Sequence, residues 1–186
     1  MSYNIYYSTD GFDFVLYQDL SIEHSDKVLS YRNHENVRKW MFNSDKISLK
    51  EHLNFINKLK DSSKIYCAVF RKKKIFACVY LNDIGNSEYF VGHFLNPRLL
   101  SSGIGLYFEY VYLKFFFEHI KAKVIRASVK KENYPMIKIH RLCNFKEIDK
   151  ENSIYYDYEF SINEYKGIPN NMEDFVTFLT NKYLDK

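Results

Sequence analysis

The sequence predicts a mixed α/β (α+β) fold, with one central, mostly antiparallel sheet of about seven strands, flanking helices and an added C-terminal helix. Three observations predict it. Apolar, alternating runs at 64–71, 74–84 and 87–95 follow one another with only turn residues between them, which is the pattern of an antiparallel meander. Segments of helical period interrupt the strands on either side of that meander. A 46% hydrophobic fraction, with 17 Tyr and 16 Phe in 186 residues, supplies enough apolar surface for a packed core.

Taken in order, "FDFVLYQDL" (12–20) alternates well enough for a first strand. Ser21 can cap the helix that follows, which runs after a short break into "HENVRKWMF". "SLKEHLNFINKLK" (48–60) opens with Ser48 and Glu51 spaced as a capping box, and Leu49, Leu53, Ile56 and Leu59 mark an apolar face. After the meander, "IGLYFEYVYLKFFFEHI" is apolar almost all round, as a buried helix is. "KVIRASVK" (123–130) is a strand, "NYPMIKIHRL" a short helix with Pro135 in its first turn, and "FKEI" and "SIYYDYEFSI" complete the sheet. Beyond Pro169, a helix over about 170–184 carries Met172, Phe175, Val176, Leu179 and Tyr183 on one face. No repeat, linker or boundary divides the chain, so residues 1–186 read as one domain with a core over about 12–163.

Charge and cysteine usage exclude several classes. The net charge is +4, with 27 basic residues scattered among 23 acidic ones, which suits a small anionic ligand and gives no nucleic-acid stripe. The one basic run, Arg71 to Lys74, falls where two strands would turn and reads as a solvated loop. No leader pattern and no apolar stretch of ~18 residues is seen. Cys67, Cys78 and Cys143 lack metal-ligand spacing, so no metal is expected and a reducing cytoplasm fits.

The chain has six glycines, and two of them, Gly103 and Gly105, stand one residue apart between a strand and the buried helix. Such a turn presents backbone N–H groups and a positive helix end to phosphate oxygens, although a plain packing turn explains two glycines equally well. With "SSGIG" opening the central helix and "ASVKKENYPMIKIHRLCNF" after it, the element order resembles the GNAT N-acetyltransferases. "YRNHENVRKWM", "SLKEHLNFINKLK" and "FLNP" resemble the branch of that family that acetylates the 4-amino group of a UDP-linked deoxy amino sugar in pseudaminic acid biosynthesis. The resemblance spans about residues 12–160.

The resemblance implies acetyl-CoA as acyl donor and direct attack of the acceptor amine in a ternary complex. Ser102, Gly103, Ile104 and Gly105 would hold the pyrophosphate. The family's basic or amide position is Leu100 here, with Arg98 nearby to supply charge. Gly92 would let the pantetheine arm approach its strand, and Asn133 would bind that arm; a bulge and a helix cap are the ordinary readings of those two. The thiolate-protonating tyrosine of the family, counted from Asn133, falls on His140, which is otherwise a surface histidine, with Tyr134 as a stand-in. Arg32 and His52 match positions that bind the nucleotide sugar, where an Arg fork suits a diphosphate; a helix-end salt bridge and a solvated histidine are their ordinary readings. Asn82 and Phe94 fall near acceptor-contacting positions. Glu88 and His93 lie on the cofactor strand and could take the ammonium proton through water, and neither is assigned as the general base; Trp40 reads as core.

The function expected is therefore N-acetyl transfer to a nucleotide-linked amino sugar. The alternatives are acetylation of a protein N-terminus or other small amine, and a non-catalytic acyl-CoA-binding module. The terminal helix either covers the core or meets a second copy of the chain.

Overall fold

The computed structural model describes residues 4–100, 103–148, 153–169 and 173–177. Eight strands are hydrogen-bonded in the order β1-β2-β3-β4-β5-β6-β8-β7. They are β1 Tyr7–Thr9, β2 Phe12–Leu16, β3 Ile65–Arg71, β4 Lys74–Gly85, β5 Glu88–Leu95, β6 Val124–Lys130, β7 Lys146–Ile148 and β8 Tyr155–Ser161. The helices are α1 Ile22–Arg32, α2 Glu35–Arg38, α3 Leu49–Leu59, α4 Ile104–Lys114, α5 Tyr134–Leu142 and α6 Ile162–Lys166.

The expected seven strands become eight because of β1. Asp10 and Gly11 take left-handed conformations (φ 50° and 76°) and turn β1 back on β2, with Tyr7 opposite Phe14. Asp-Gly is the residue pair that such a tight turn favours, so the signal stood in the sequence. The first expected strand also ends early: β2 stops at Leu16, and Tyr17–Asp19 form a turn of 3-10 helix. "HENVRKWMF" gives only the four-residue α2. Conversely α6 is an unexpected helix, started by a capping box between Ser161 and Glu164. Of the expected C-terminal helix, residues 173–177 are helical, with Phe175 buried and Val176 47% exposed; Met172, Leu179 and Tyr183 lie outside the described residues.

The chain forms two compact units, Met1–Asp83 with Val91–Ser101, and Ile84–Phe90 with Ser102–Lys186. In the first, β2 and β3 pair antiparallel, as do β3 and β4, and their inward side chains meet α1 and α3 in a core of Val15, Val28, Ile56, Leu59, Ala68 and Phe70. The capping box of Ser48 and Glu51 starts α3 as expected. Its buried face differs: His52, Ile56 and Leu59 point inward, while Leu49 and Leu53 are 45% and 36% exposed. The apolar stripe on this helix is wider than the face the core can cover, and packing chose its His52 side.

In the second unit, the first residues of β5 pair parallel with β6, and β6 and β7 each pair antiparallel with β8. The helix α4 is buried from Phe108 through Leu113 and passes into a π-turn over Phe115–His119. Its aromatic rings pack edge to face, Tyr112 on Phe116 at 4.5 Å.

Candidate active site

On the donor side, Gly103 is the N-cap of α4 and holds φ +75°, a left-handed conformation that only glycine adopts freely. Among the described residues no atom lies within 4 Å of where its Cβ would stand. The N–H groups of Ile104 and Gly105 belong to the first turn of an eleven-residue helix, where the intrahelical ladder does not use them. A positive helix end that begins at a left-handed glycine fits a phosphate-bearing ligand. Ser102 lies outside the described residues. Asn133 caps α5 through its backbone carbonyl only, which accepts from Met136 and Ile137; its side chain makes no cap bond.

His140 is not the surface histidine that the ordinary reading supposed. It is 3% exposed, stacked on Phe145 (centroids 4.3 Å apart, 11°) and edge-on to Tyr158 at 4.6 Å. Tyr158 donates to Glu147 Oε2, which also pairs with Arg141 at 3.0 Å. Tyr134, the stand-in, begins α5 and is 73% exposed. Glu109 on α4 was not singled out in the sequence. It is fully buried, neither carboxylate oxygen has a hydrogen-bond partner among the described residues, and desolvation pushes its pKa up to about 8.

In the first unit, Arg98 is exposed on a 3-10 turn, Pro97–Leu99, that starts from Asn96. Asn96 is the anchor of that turn. Its Oδ1 accepts from the Arg98 N–H, its N–H donates to the Phe76 carbonyl at 2.8 Å, and its Nδ2 donates to Tyr31 Oη at 3.0 Å. Gly92 meets a different neighbour from the one expected. A Cβ there would lie 2.3 Å from Tyr80 Oη, so the space above this glycine is filled by the Tyr80 ring, itself stacked on Tyr66 at 5.4 Å.

The acceptor-side residues are engaged in structure. Arg32 donates from Nη2 to the Asn43 carbonyl at 2.7 Å and from Nη1 to the Asp45 carbonyl, and desolvation lowers its pKa. Asn33 completes the clasp, exchanging two bonds with the backbone of Ile47. Arg32 thus holds the 43–47 loop, a role that neither the diphosphate nor the salt-bridge reading anticipated. His52 is 6% exposed and not solvated; desolvation lowers its pKa against a bond to the Ser25 backbone. Its Nε2 is buried with no hydrogen-bond partner among the described residues, as is Asn82 Oδ1. Phe94 packs against the first unit's core. Of the two base candidates, Glu88 pairs with Arg126 at 3.0 Å, and burial pulls the His93 pKa down to about 4. Trp40 is partly buried, its ring 5.1 Å below the Lys39 ammonium.

No family model matches the sequence. Acetyltransferase PseH of Campylobacter jejuni is 27% identical over 141 residues, covering 75% of this chain and 88% of the relative. A crystal structure of that protein in complex with acetyl coenzyme A superposes with a TM-score of 0.66 at 21% identity, over 81% of this chain and 99% of the other. The chain is thus similar to an acetyltransferase over three quarters of its length, and it shares that protein's fold. The GNAT fold is common to other acceptor types: the Vibrio cholerae spermidine N-acetyltransferase, in complex with CoA and spermine, gives a TM-score of 0.73 at 16% identity, over 85% of this chain and 99% of the other. Its likeness concerns the fold alone. Among the described residues no group of His, Cys, Asp or Glu could hold a metal ion, and no helix is long and apolar enough to cross a membrane.

Proposed function

We propose that this protein transfers acetyl from acetyl-CoA to the amino group of a nucleotide-linked amino sugar, UDP-linked by its similarity to PseH. The observation that carries the donor half is the left-handed Gly103 at the head of α4, with no described atom within 4 Å of where its Cβ would stand. In this reading the Ile104 and Gly105 N–H groups bind the pyrophosphate, Ser102 and Arg98 add polar contacts, and Asn133 serves the pantetheine arm, whereas Gly92 gives its space to the Tyr80 ring.

In the reaction the amine nitrogen attacks the thioester carbon and the carbon–sulfur bond breaks. The departing thiolate takes a proton, in this reading from His140, and the new amide loses the extra proton of the amine. The His140 ring is packed against Phe145 and Tyr158, so the variant that tests it keeps an aromatic ring there. Neither Glu88, tied to Arg126, nor His93, held neutral far below its ordinary pKa, is suited to take that proton. In this reading solvent takes it. Arg32, His52, Asn82 and Phe94 shape the acceptor side, Arg32 by holding the 43–47 loop and His52 through its buried Nε2. Three buried cysteines suit a reducing, cytoplasmic setting.

The test mixes purified protein, acetyl-CoA and a panel of UDP- and dTDP-linked amino sugars with spermidine and an N-terminal peptide, and follows thiol release. Release with a nucleotide amino sugar supports the proposal. Release only with spermidine or peptide moves the acceptor to another amine. Acetyl-CoA binding without release from any acceptor identifies a binding module.

A further inference from the structure

The sheet face that meets α3 holds a tyrosine mounted stiffly by its neighbours. Tyr66 on β3 stands opposite Tyr80 on β4, and their rings stack at 5.4 Å and 17°. Phe55 from α3 meets Tyr66 edge-on at 4.9 Å, and Tyr17 tilts against it at 5.7 Å. The Tyr80 ring is thus braced through Tyr66, and its hydroxyl end lies over Gly92 of β5, in the space a side chain would fill. All of these residues belong to the first unit.

A tyrosine over a glycine is ordinary packing when its hydroxyl is spent on the protein. Here it is not. The Tyr80 hydroxyl has no hydrogen-bond partner among the described residues, and burial pushes its pKa up to about 12, so it stays protonated. Two residues further along β4, on the same face by strand alternation, Asn82 Oδ1 is buried with no partner among the described residues either. Phe94, two residues beyond Gly92 on β5, packs against the core that Tyr66 and Phe55 also cover. Two oxygens able to accept therefore lie on one face edged by aromatic rings. Buried polar atoms are nearly always paired, so such oxygens mark a place where a ligand brings the donors.

The number of donors selects the ligand group. An amino group brings two N–H donors, three when protonated, whereas a hydroxyl brings one. Successive same-face positions on a strand are about 6–7 Å apart at Cα, near enough for one nitrogen to reach oxygens from both. An amine satisfies the two oxygens together; a hydroxyl leaves one unpaired. We propose that Tyr80 sets the specificity for an amine: its Oη and Asn82 Oδ1 each accept a hydrogen bond from the amino group of the acceptor, while the Tyr80 O–H turns to an oxygen of the sugar. The proposal rests on the acceptor reading made above, which puts Asn82 and Phe94 on the sugar side. It adds the group that separates an amino sugar from the hydroxy sugar of the same shape. It also gives Gly92 a use, because the missing side chain is what lets the Tyr80 hydroxyl take this position.

The full-length chain is titrated calorimetrically with a UDP-linked 4-amino-4-deoxy sugar and with its 4-hydroxy counterpart, and turnover of the amino sugar is followed by thiol release. The wild type is expected to bind the amino form roughly tenfold more tightly. Tyr80→Phe keeps the ring on Tyr66 and over Gly92, so its thermal midpoint should match the wild type. In that variant the gap falls to about twofold and the acceptor KM rises roughly fivefold, with the acetyl-CoA KM unchanged. Asn82→Ala should narrow the same gap, and combining the two changes should narrow it no further than either alone. Equal wild-type affinity for the two sugars overturns the inference and leaves the acceptor class standing. A Tyr80→Phe protein that keeps both the gap and the wild-type acceptor KM assigns Tyr80 to packing and overturns it too. Binding of neither sugar overturns the nucleotide-sugar reading and the inference together.

Discussion

Replacing Gly92 with alanine isolates one close contact. Its φ lies outside the left-handed region, so the backbone itself tolerates a side chain. The obstacle is Tyr80: the new methyl would lie 2.3 Å from Oη, 2.4 Å from Cζ and 2.7 Å from Cε1. Carbon atoms rest about 3.5–4.0 Å apart, so the ring must retreat by roughly 1 Å. It is stacked on Tyr66 at 17°, and Tyr66 is held edge-on by Phe55 at 4.9 Å and tilted against Tyr17 at 5.7 Å. Overpacking of this kind costs about 2 kcal/mol, which for a chain of this size lowers the thermal midpoint by roughly 4–8 °C. Calorimetry or circular dichroism reads the shift. Tyr80→Phe should give no relief, because Cζ and Cε1 stay in place. Tyr80→Val should make Gly92→Ala nearly neutral, a coupling of about 2 kcal/mol in the double-mutant cycle. A Gly92→Ala protein that melts with the wild type, or that loses as much in the Tyr80→Val background, refutes the reasoning.

Three further outcomes are expected. Glu109 has its pKa raised from 4.5 to about 8, so the folded state holds a proton that the unfolded state releases; stability contributed by the neutral form is full below about pH 4.5 and is lost as pH rises to about 8. Glu109→Gln should remove that decline in chemical denaturation, and a wild-type stability flat from pH 5 to 8 would count against it. His140→Phe keeps an aromatic ring between Phe145 and Tyr158 and should fold normally while kcat falls ~100-fold; unchanged kcat assigns His140 to packing alone. Arg32→Ala releases the carbonyls of Asn43 and Asp45, and should speed hydrogen exchange and proteolysis in residues 43–47 by roughly tenfold and raise the acceptor KM, with the acetyl-CoA KM unchanged.

Local chemistry was legible in the sequence wherever the determining partners lie within a few residues of one another. Ser48 and Glu51 satisfy each other's backbone donors three residues apart, so the start of α3 could be read directly. The same signal stands at Ser161 and Glu164, and Asp10–Gly11 marks the β1–β2 turn. Gly103 was legible too, because a left-handed residue opening a helix calls for glycine. Tertiary packing decided what depends on distant neighbours. Periodicity showed that α3 had an apolar stripe, but only the core beneath it determined that His52 would be buried and Leu49 exposed. A sequence cannot show that the Arg32 fork is taken by carbonyls 11 and 13 residues away, that His140 lies between two rings, or that the space left by Gly92 belongs to Tyr80. Each of those depends on which surfaces meet after the chain has closed, and side-chain type and spacing do not carry that information.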